Sequence, residues 1–172
     1  MNKYKVKKYS KKKTFKGNIS EIVKLFFLAA PEYEEIFIKF KIDKNKFIRN
    51  TINKEGSEFE EFYIIEKNNK ILGLLSGFFS EELSLRKLVS LMMIKKMAKS
   101  KNIIKTLKKN LNKIPIIKKK SFYVSRLSLL EKARGKGLGN ILIKKIKLNK
   151  ISKNFKALSL HVLSKNKIAK KF

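Results

Sequence analysis

The sequence of 172 residues has no cysteine, only two prolines and a single histidine. Without cysteine, the chain can form no disulfide, thiolate metal site or cysteine nucleophile. With His161 as its only histidine, it cannot build a site from several imidazoles, and we expect no metal. Acidic residues are scarce too, 13 against 44 basic ones, which gives a formal net charge of +31. This excess predicts an anionic ligand.

Long apolar stretches are also missing. The uncharged run at residues 71–80 is about half as long as the ~20 residues that a membrane-spanning helix needs. No apolar segment with a cleavage site follows the lysine-rich N-terminus, as a secretory signal would require. We therefore predict no transmembrane segment and a cytoplasmic location.

The composition favours one globular domain over residues 1–172. Apolar residues make up 43% of the chain, and no linker or internal repeat divides it. The charge is uneven: residues 1–82 hold 17 basic and 12 acidic groups, whereas residues 83–172 hold 27 basic groups and one acidic residue, Glu131. The second half is therefore expected to bind the anion.

The patterning predicts alternating helices and strands. Apolar spacing predicts an amphipathic helix from residue 18 with Ser20 as N-cap, and Pro31 followed by acidic residues indicates a second helix. Residues 59–66 and 70–79 are typical of a β-hairpin. Residues 81–113 predict a long helix packed on the core; the alternative is a surface helix for a membrane or a partner. Residues 121–130 and 156–163 are predicted strands around a helix at 138–149, which makes the fold class α/β (α+β).

A glycine cluster lies between the predicted strand 121–130 and the helix that follows it. Gly135, Gly137 and Gly139 are three of only seven glycines in the chain. Glycines let a backbone approach a ligand closely, and the N–H groups at the start of the helix suit a phosphate. Arg134 and Lys136 add positive charge. A Walker loop would need GxxxxGK, and a Rossmann loop GxGxxG with a later acidic residue, so both interpretations weaken.

The loop resembles the main signature of the GNAT superfamily of N-acetyltransferases, Arg/Gln-x-x-Gly-x-Gly/Ala, here from Arg134 to Gly139. Residues 122–130 look like the strand that precedes this loop in the family, and residues 158–172 like its fifth strand and next helix. Asn166 and Ala169 match the usual Asn-x-x-Ala. The resemblance implies a mixed, mostly antiparallel sheet flanked by helices, with acetyl-CoA bound between the fourth and fifth strands.

The resemblance also implies roles for individual residues. Backbone groups near Leu127 and Leu129 would bind the pantetheine arm, and Asn166 would contact the cosubstrate near its reactive end. The pyrophosphate would be held by the loop and the residue after it: Arg134, Gly135, Lys136, Gly137, Leu138, Gly139 and Asn140. An amine acceptor, in a small molecule, a peptide or an antibiotic, would attack the acetyl thioester directly, without a metal.

The groups that move protons are less defined. The usual acid of the family, a tyrosine beyond Ala169, has no counterpart before Phe172, so the resemblance implies a chain that is incomplete at its C-terminus and lacks the last strands. His161 is the candidate base, because imidazole titrates near neutral pH; the alternative is a structural histidine in an apolar strand. Glu66, Glu131 and Tyr123 are weaker candidates.

Two other functions stay open at this stage. The basic second half, with lysines 118–120 beside Phe122 and Tyr123, would suit a nucleic-acid or ribosome-binding module. Against it, only four of the 44 basic residues are arginines, which base readout favours, and no helix-turn-helix, zinc-binding or RNP pattern is present. The missing end of the fold would also suit an inactive remnant of an acetyltransferase.

Overall fold

The computed structural model describes residues 4–10, 12–98, 100, 102–111, 117–150, 155, 157–162 and 166. Its strands are β1 (Lys5–Tyr9), β2 (Phe62–Lys67), β3 (Lys70–Phe79), β4 (Ser121–Leu129) and β5 (Ala157–Leu160). Its helices are α1 (Ile19–Ala29), α2 (Pro31–Lys39), α3 (Lys44–Thr51), α4 (Leu83–Met97), α5 (Ile103–Leu111) and α6 (Leu138–Lys150). Short 3₁₀ turns precede α4 and α6, at Ser80–Glu82 and Glu131–Ala133.

The strands form one mixed sheet in the order β1-β2-β3-β4-β5. The first four pair antiparallel, and β5 pairs parallel with β4. The hairpin between β2 and β3 turns at Asn68 and Asn69, whose φ angles are 50° and 59°. Asparagine tolerates this left-handed conformation, which two-residue hairpin turns require. The predicted sheet of mostly antiparallel strands and the α/β class are confirmed.

Helices cover both faces of this sheet. Helices α1 to α5 lie on one face, where Phe26, Phe62 and Leu74 belong to one buried cluster. Helix α6 covers the other face, where Leu138 and Leu142 pack with Leu75 and other apolar side chains of the strands. Because β2 and β3 are buried on both faces, nearly every position in them is apolar and strict alternation is absent.

The beginnings of the first two helices follow local rules. Helix α1 is capped by Asn18, whose Oδ1 accepts a hydrogen bond of 2.9 Å from the backbone N–H of Ser20. The prediction that Ser20 is the cap is therefore wrong. Pro31 is the first residue of α2, as predicted, because its missing N–H costs nothing there. Strand β1 and helix α3 were not predicted.

In place of the predicted long helix at residues 81–113, the described residues form two helices, α4 ending at Met97 and α5 beginning at Ile103. On α4 the apolar side chains Leu85, Leu88 and Met92 are exposed, whereas Ser90 and Ile94 are buried. The prediction that this apolar face packs on the core is wrong for those three residues. Among the described residues, no helix is both long and apolar enough to span a bilayer, and the predicted location stays a prediction.

Arg86 holds helix α4 against the segment that precedes β2. Its guanidinium donates hydrogen bonds to the backbone oxygen of Ser57 and to the carboxylates of Glu60, at 2.8 Å, and Glu82. The side chain is only 11% exposed. Such a multiply bonded arginine fixes the helix far more firmly than a single surface ion pair would.

Gly77, in β3, provides a test of the contact between β3 and β4. A Cβ atom there would lie 2.5 Å from the backbone oxygen of Tyr123 and 2.6 Å from the Phe122 ring. We expect Gly77→Ala to lower the free energy of unfolding by about 1–3 kcal/mol in urea denaturation, because the strands must separate to admit the methyl group. The control Ser84→Ala, at an exposed position of α4, should change it by less than about 0.5 kcal/mol. Equal effects of the two substitutions would contradict this packing.

Candidate functional site

Strand β4 is paired on both edges only along its first half. Its parallel pairing with β5 runs from Ser121–Ala157 to Val124–Leu160, whereas its antiparallel pairing with β3 continues to Leu129. Within the described residues, the second half of β4 therefore has one free edge. Unpaired peptide groups on such an edge can bind an extended ligand as an added strand would.

The peptide groups of Leu127 and Leu129 face this free edge. The neighbouring Leu130 donates its N–H to the oxygen of Leu72, at 2.8 Å, and thus points toward β3. In an antiparallel pair, the backbone N–H and C=O groups of successive residues face opposite edges of the strand. Those of Leu129 and Leu127 therefore face away from β3. The register with β3 shifts at Ser125, which has no partner between the pairs Ser76–Arg126 and Gly77–Val124. This bulge turns the backbone where the two strands part.

The glycine loop follows directly after the free edge. Gly135 and Gly137 have φ angles of +72° and +69°, and a Cβ at either position would meet no atom within 4 Å. The left-handed backbone favours glycine, and the space beside both residues is open. Helix α6 begins at Leu138, so the backbone N–H groups at its start are available to an anion.

The residues of the loop divide into two groups by burial. Leu138 and Gly139 are buried and anchor the start of α6, whereas Arg134, Lys136 and Asn140 are exposed. Arg134 Nε donates to the oxygen of Leu129 at 3.3 Å, and Lys136 Nζ donates to the oxygen of Lys132 at 2.8 Å. The first of these bonds joins the loop to the free edge of β4, so the two form one continuous surface.

His161 lies just after β5, not inside the strand where it was predicted. Its Nδ1 is 3.2 Å from the hydroxyl oxygen of Tyr123, a residue of β4. Burial, and secondly the positive charge of Lys87, lower the pKa of His161 below the usual 6.5. This shift favours the neutral imidazole, which can accept a proton.

Lys87 brings α4 into the site. Burial lowers the pKa of its ammonium group, while the carboxylate of Glu58 opposes this shift. The role of Lys87 could not be found from the sequence, because it is one of 40 lysines without a distinguishing motif. Only its electrostatic effect on His161 in the folded chain distinguishes it.

A buried ion pair joins Arg126 of β4 to Glu58. The Nη2 to Oε2 distance is 3.2 Å, and the side chains are only 9% and 13% exposed. The guanidinium also lies 4.9 Å from the ring centre of Phe26 and 5.0 Å from that of Tyr33. This arrangement ties α1 and α2 to β4 beside the bulge. The sequence offered one signal of it, a lone arginine in an otherwise apolar and hydroxyl-bearing strand.

The remaining predicted residues lie apart from this surface or outside the described chain. Glu66 forms an ion pair with Lys7 of β1, and Glu131 is exposed in the 3₁₀ turn before the loop. Asn166 is exposed, and Ala169 and the predicted helix at 166–172 otherwise lie outside the described residues. In the part of the chain that is described, no group of three or more His, Asp or Glu side chains is placed to hold a metal ion.

Breaking the buried ion pair should cost more than removing it. We expect Arg126→Met to lower the free energy of unfolding by about 3 kcal/mol, because the Glu58 carboxylate would lose its charge partner. The double variant Arg126→Met with Glu58→Gln should recover part of that loss in urea denaturation, since no unpaired charge remains. A double variant as unstable as the sum of the two single variants would contradict the coupling.

Comparison with known proteins places this geometry in a family. A sequence model described as the Acetyltransferase (GNAT) family matches residues 22–172. A search of curated protein sequences found no match.

Solved structures of acetyltransferases share the fold. An N-acetyltransferase from Staphylococcus aureus superposes with a TM-score of 0.62 at 13% identity, over 97% of this chain and 86% of that one. Another acetyltransferase gives a TM-score of 0.65 at 15% identity, over 96% and 85% of the two chains. An aminoglycoside N-acetyltransferase in complex with CoA gives 0.57 at 8% identity, over 99% and 84%. The family match and the shared fold agree, and the chain belongs to the GNAT family of acetyltransferases.

Proposed function

We propose that this protein transfers the acetyl group of acetyl-CoA to a primary amine, carried by a small molecule or a peptide, by direct attack of the amine on the thioester. The observation that supports this most is the free edge of β4 beside the glycine loop. An extended amide-containing chain ending in a pyrophosphate would meet matching groups along the whole of that surface.

The two halves of the surface suit the two halves of acetyl-CoA. The peptide groups of Leu127 and Leu129 would pair with the amides of the pantetheine arm, as an added strand would. The pyrophosphate would lie on the loop from Arg134 to Gly139 and near Asn140, where helix N–H groups and two cations are available. Asn166 would contact the arm near the thioester. The solved relative that contains CoA supports this choice of cosubstrate.

The reaction makes three demands on the protein. The amine nitrogen forms a bond to the thioester carbon, the carbon–sulfur bond breaks, and the sulfur takes up a proton while the amine loses one. Negative charge develops on the carbonyl oxygen during attack, and backbone N–H groups on the free edge of β4 can stabilise it. No metal takes part in this proposal.

His161 is the group we propose as the base for the amine. Its Nδ1 faces the Tyr123 hydroxyl, so in the tautomer with hydrogen on Nδ1 the imidazole donates to Tyr123 and leaves Nε2 open as an acceptor. Its lowered pKa keeps that nitrogen unprotonated at neutral pH. Both residues lie where β4 and β5 part, beside the place assigned to the thioester.

The loop can be tested through its backbone. We expect Gly137→Ala to weaken the binding of acetyl-CoA by at least about tenfold in isothermal titration calorimetry, because a methyl group there strains a left-handed residue and occupies the space of the ligand. The control Ser84→Ala, at an exposed position of α4, should leave the dissociation constant unchanged. Equal affinities of the two variants for acetyl-CoA would exclude the loop as the binding site.

The role of His161 predicts a specific pH dependence. A base must be unprotonated, so kcat/KM should fall as the pH drops through the pKa of His161, which lies below 6.5, and should be constant around pH 7. Lys87→Met removes a cation that lowers this pKa, so the acidic limb should move to higher pH.

Two variants control for this profile. His161→Ala should abolish the limb and lower the plateau by about 10²-fold or more. Lys95→Met, at an exposed lysine of the same helix, should leave the profile unchanged. If His161→Ala keeps the limb of the native protein, another group is the base.

A further inference from the structure

A pocket lined by lysines lies on the other side of the glycine loop from β5. It has a volume of about 300 Å³, and Lys67, Lys70, Lys132 and Lys136 line it together with Tyr4 and Leu72. Lys67 ends β2 and Lys70 begins β3, so these two flank the hairpin turn. Lys132 and Lys136 lie in the segment that leads into α6. We refer to it as the lysine pocket.

The positive charge of the lysine pocket is not neutralised by any acidic residue in its lining. Within the described part of the chain, none of its four lysines forms an ion pair with a carboxylate. Lys67 Nζ lies 5.5 Å from the centre of the Tyr4 ring, and Lys136 Nζ donates to the backbone oxygen of Lys132 at 2.8 Å, but neither partner carries a negative charge. Four cations around one pocket repel each other, so an anion bound among them would stabilise the arrangement.

The hairpin adds a second observation. Lys67 and Lys70 lie directly opposite each other as the last pair before the turn. Like charges in that position destabilise a hairpin. The two-residue turn at Asn68 and Asn69, with positive φ at both residues, fixes this pairing rigidly. The fold therefore holds two like charges side by side, and their repulsion destabilises the free protein.

The lysine pocket adjoins the surface assigned to acetyl-CoA. Lys136 belongs to both, because it lies between the two loop glycines and also lines the pocket. Leu130, which leads into the loop, donates its N–H to Leu72 at 2.8 Å, and Leu72 also lines the pocket. A phosphate group one sugar ring away from a pyrophosphate on the loop would reach these lysines.

We infer that the lysine pocket binds a phosphate monoester, the 3′-phosphate of the CoA that lies on the loop. This inference rests on the proposed function. The lysines of the β2–β3 turn would then select CoA over its 3′-dephospho form, a choice that the loop itself cannot make because the pyrophosphate is common to both. The dianionic phosphate fits the pocket by charge, and lysines bind it as mobile point charges.

Calorimetric titration of the full chain with CoA and with 3′-dephospho-CoA tests the inference. We expect the native protein to bind CoA about five- to tenfold more tightly than 3′-dephospho-CoA, a ratio typical of a few exposed charge contacts. The double variant Lys67→Gln with Lys70→Gln should lose that preference through weaker binding of CoA alone. The matched control, Lys24→Gln with Lys46→Gln, removes two exposed charges from α1 and α3 and should keep the preference.

A second measurement separates CoA from an unrelated phosphate. Inorganic phosphate should shift the amide NMR signals of Asn68 and Asn69 in the free protein and should no longer do so once CoA is bound. Shifts that persist with bound CoA would show that the pocket holds a separate phosphate and would overturn the assignment.

Equal affinity of the native protein for both ligands, or an equal loss of both in the lysine variant, overturns the inference and leaves the proposed function intact, since CoA still binds. If neither ligand binds to the native protein, the proposed function fails and the inference fails with it.

Discussion

The site depends on one constraint, the unequal pairing of β4 along its two edges. Strand β3 holds one edge of β4 to Leu129, whereas β5 pairs with the other only as far as Val124. The bulge at Ser125 lies where this second pairing ends. The backbone beyond it is held by β3, and among the described residues its peptide groups on the other edge have no partner strand. A rigid strand with one free edge is what an extended cosubstrate needs, because its binding then orders very little of the protein.

The two faces of the sheet contribute differently to this site. On the face of α6, buried Leu138 and Leu142 pack against the strands and set where the helix starts, which places the glycine loop at the end of β4. On the opposite face, the Arg126–Glu58 pair and the bonds of Arg86 hold α1, α2 and α4 around the parting strands. The packing of α6 therefore positions the glycine loop, and the polar contacts of Arg126 and Arg86 fix the helices on the opposite face.

The glycine loop was predictable because the sequence signal for it is local. Glycines with positive φ at 135 and 137, the hairpin at residues 68–69 and Pro31 at the start of α2 each depend on a few neighbouring residues. Strand β1 escaped prediction since its sequence, Lys-Val-Lys-Lys-Tyr, owes its conformation to pairing with β2 and to ion pairs of Lys7 and Lys8 with Glu66 and Glu61. The prediction that the apolar face of α4 packs on the core was wrong for Leu85, Leu88 and Met92, which are exposed, because apolar spacing does not show whether a helix face meets other side chains.

The sequence by itself determined which class of ligand to expect and which loop to examine for it: the excess of lysine predicts an anion, and the glycine cluster before an amphipathic helix predicts a phosphate. The first is a property of the composition, and the second of residues close together in the chain. Only the tertiary structure decided which lysines act together. Those of the β2–β3 turn and of the loop are more than sixty positions apart in the sequence, and they meet because β3 pairs with β4 in a fixed register. The same holds for Tyr123 with His161 and for Glu58 with Arg126, since contacts between distant residues follow from the packing of strands and helices and leave no local pattern.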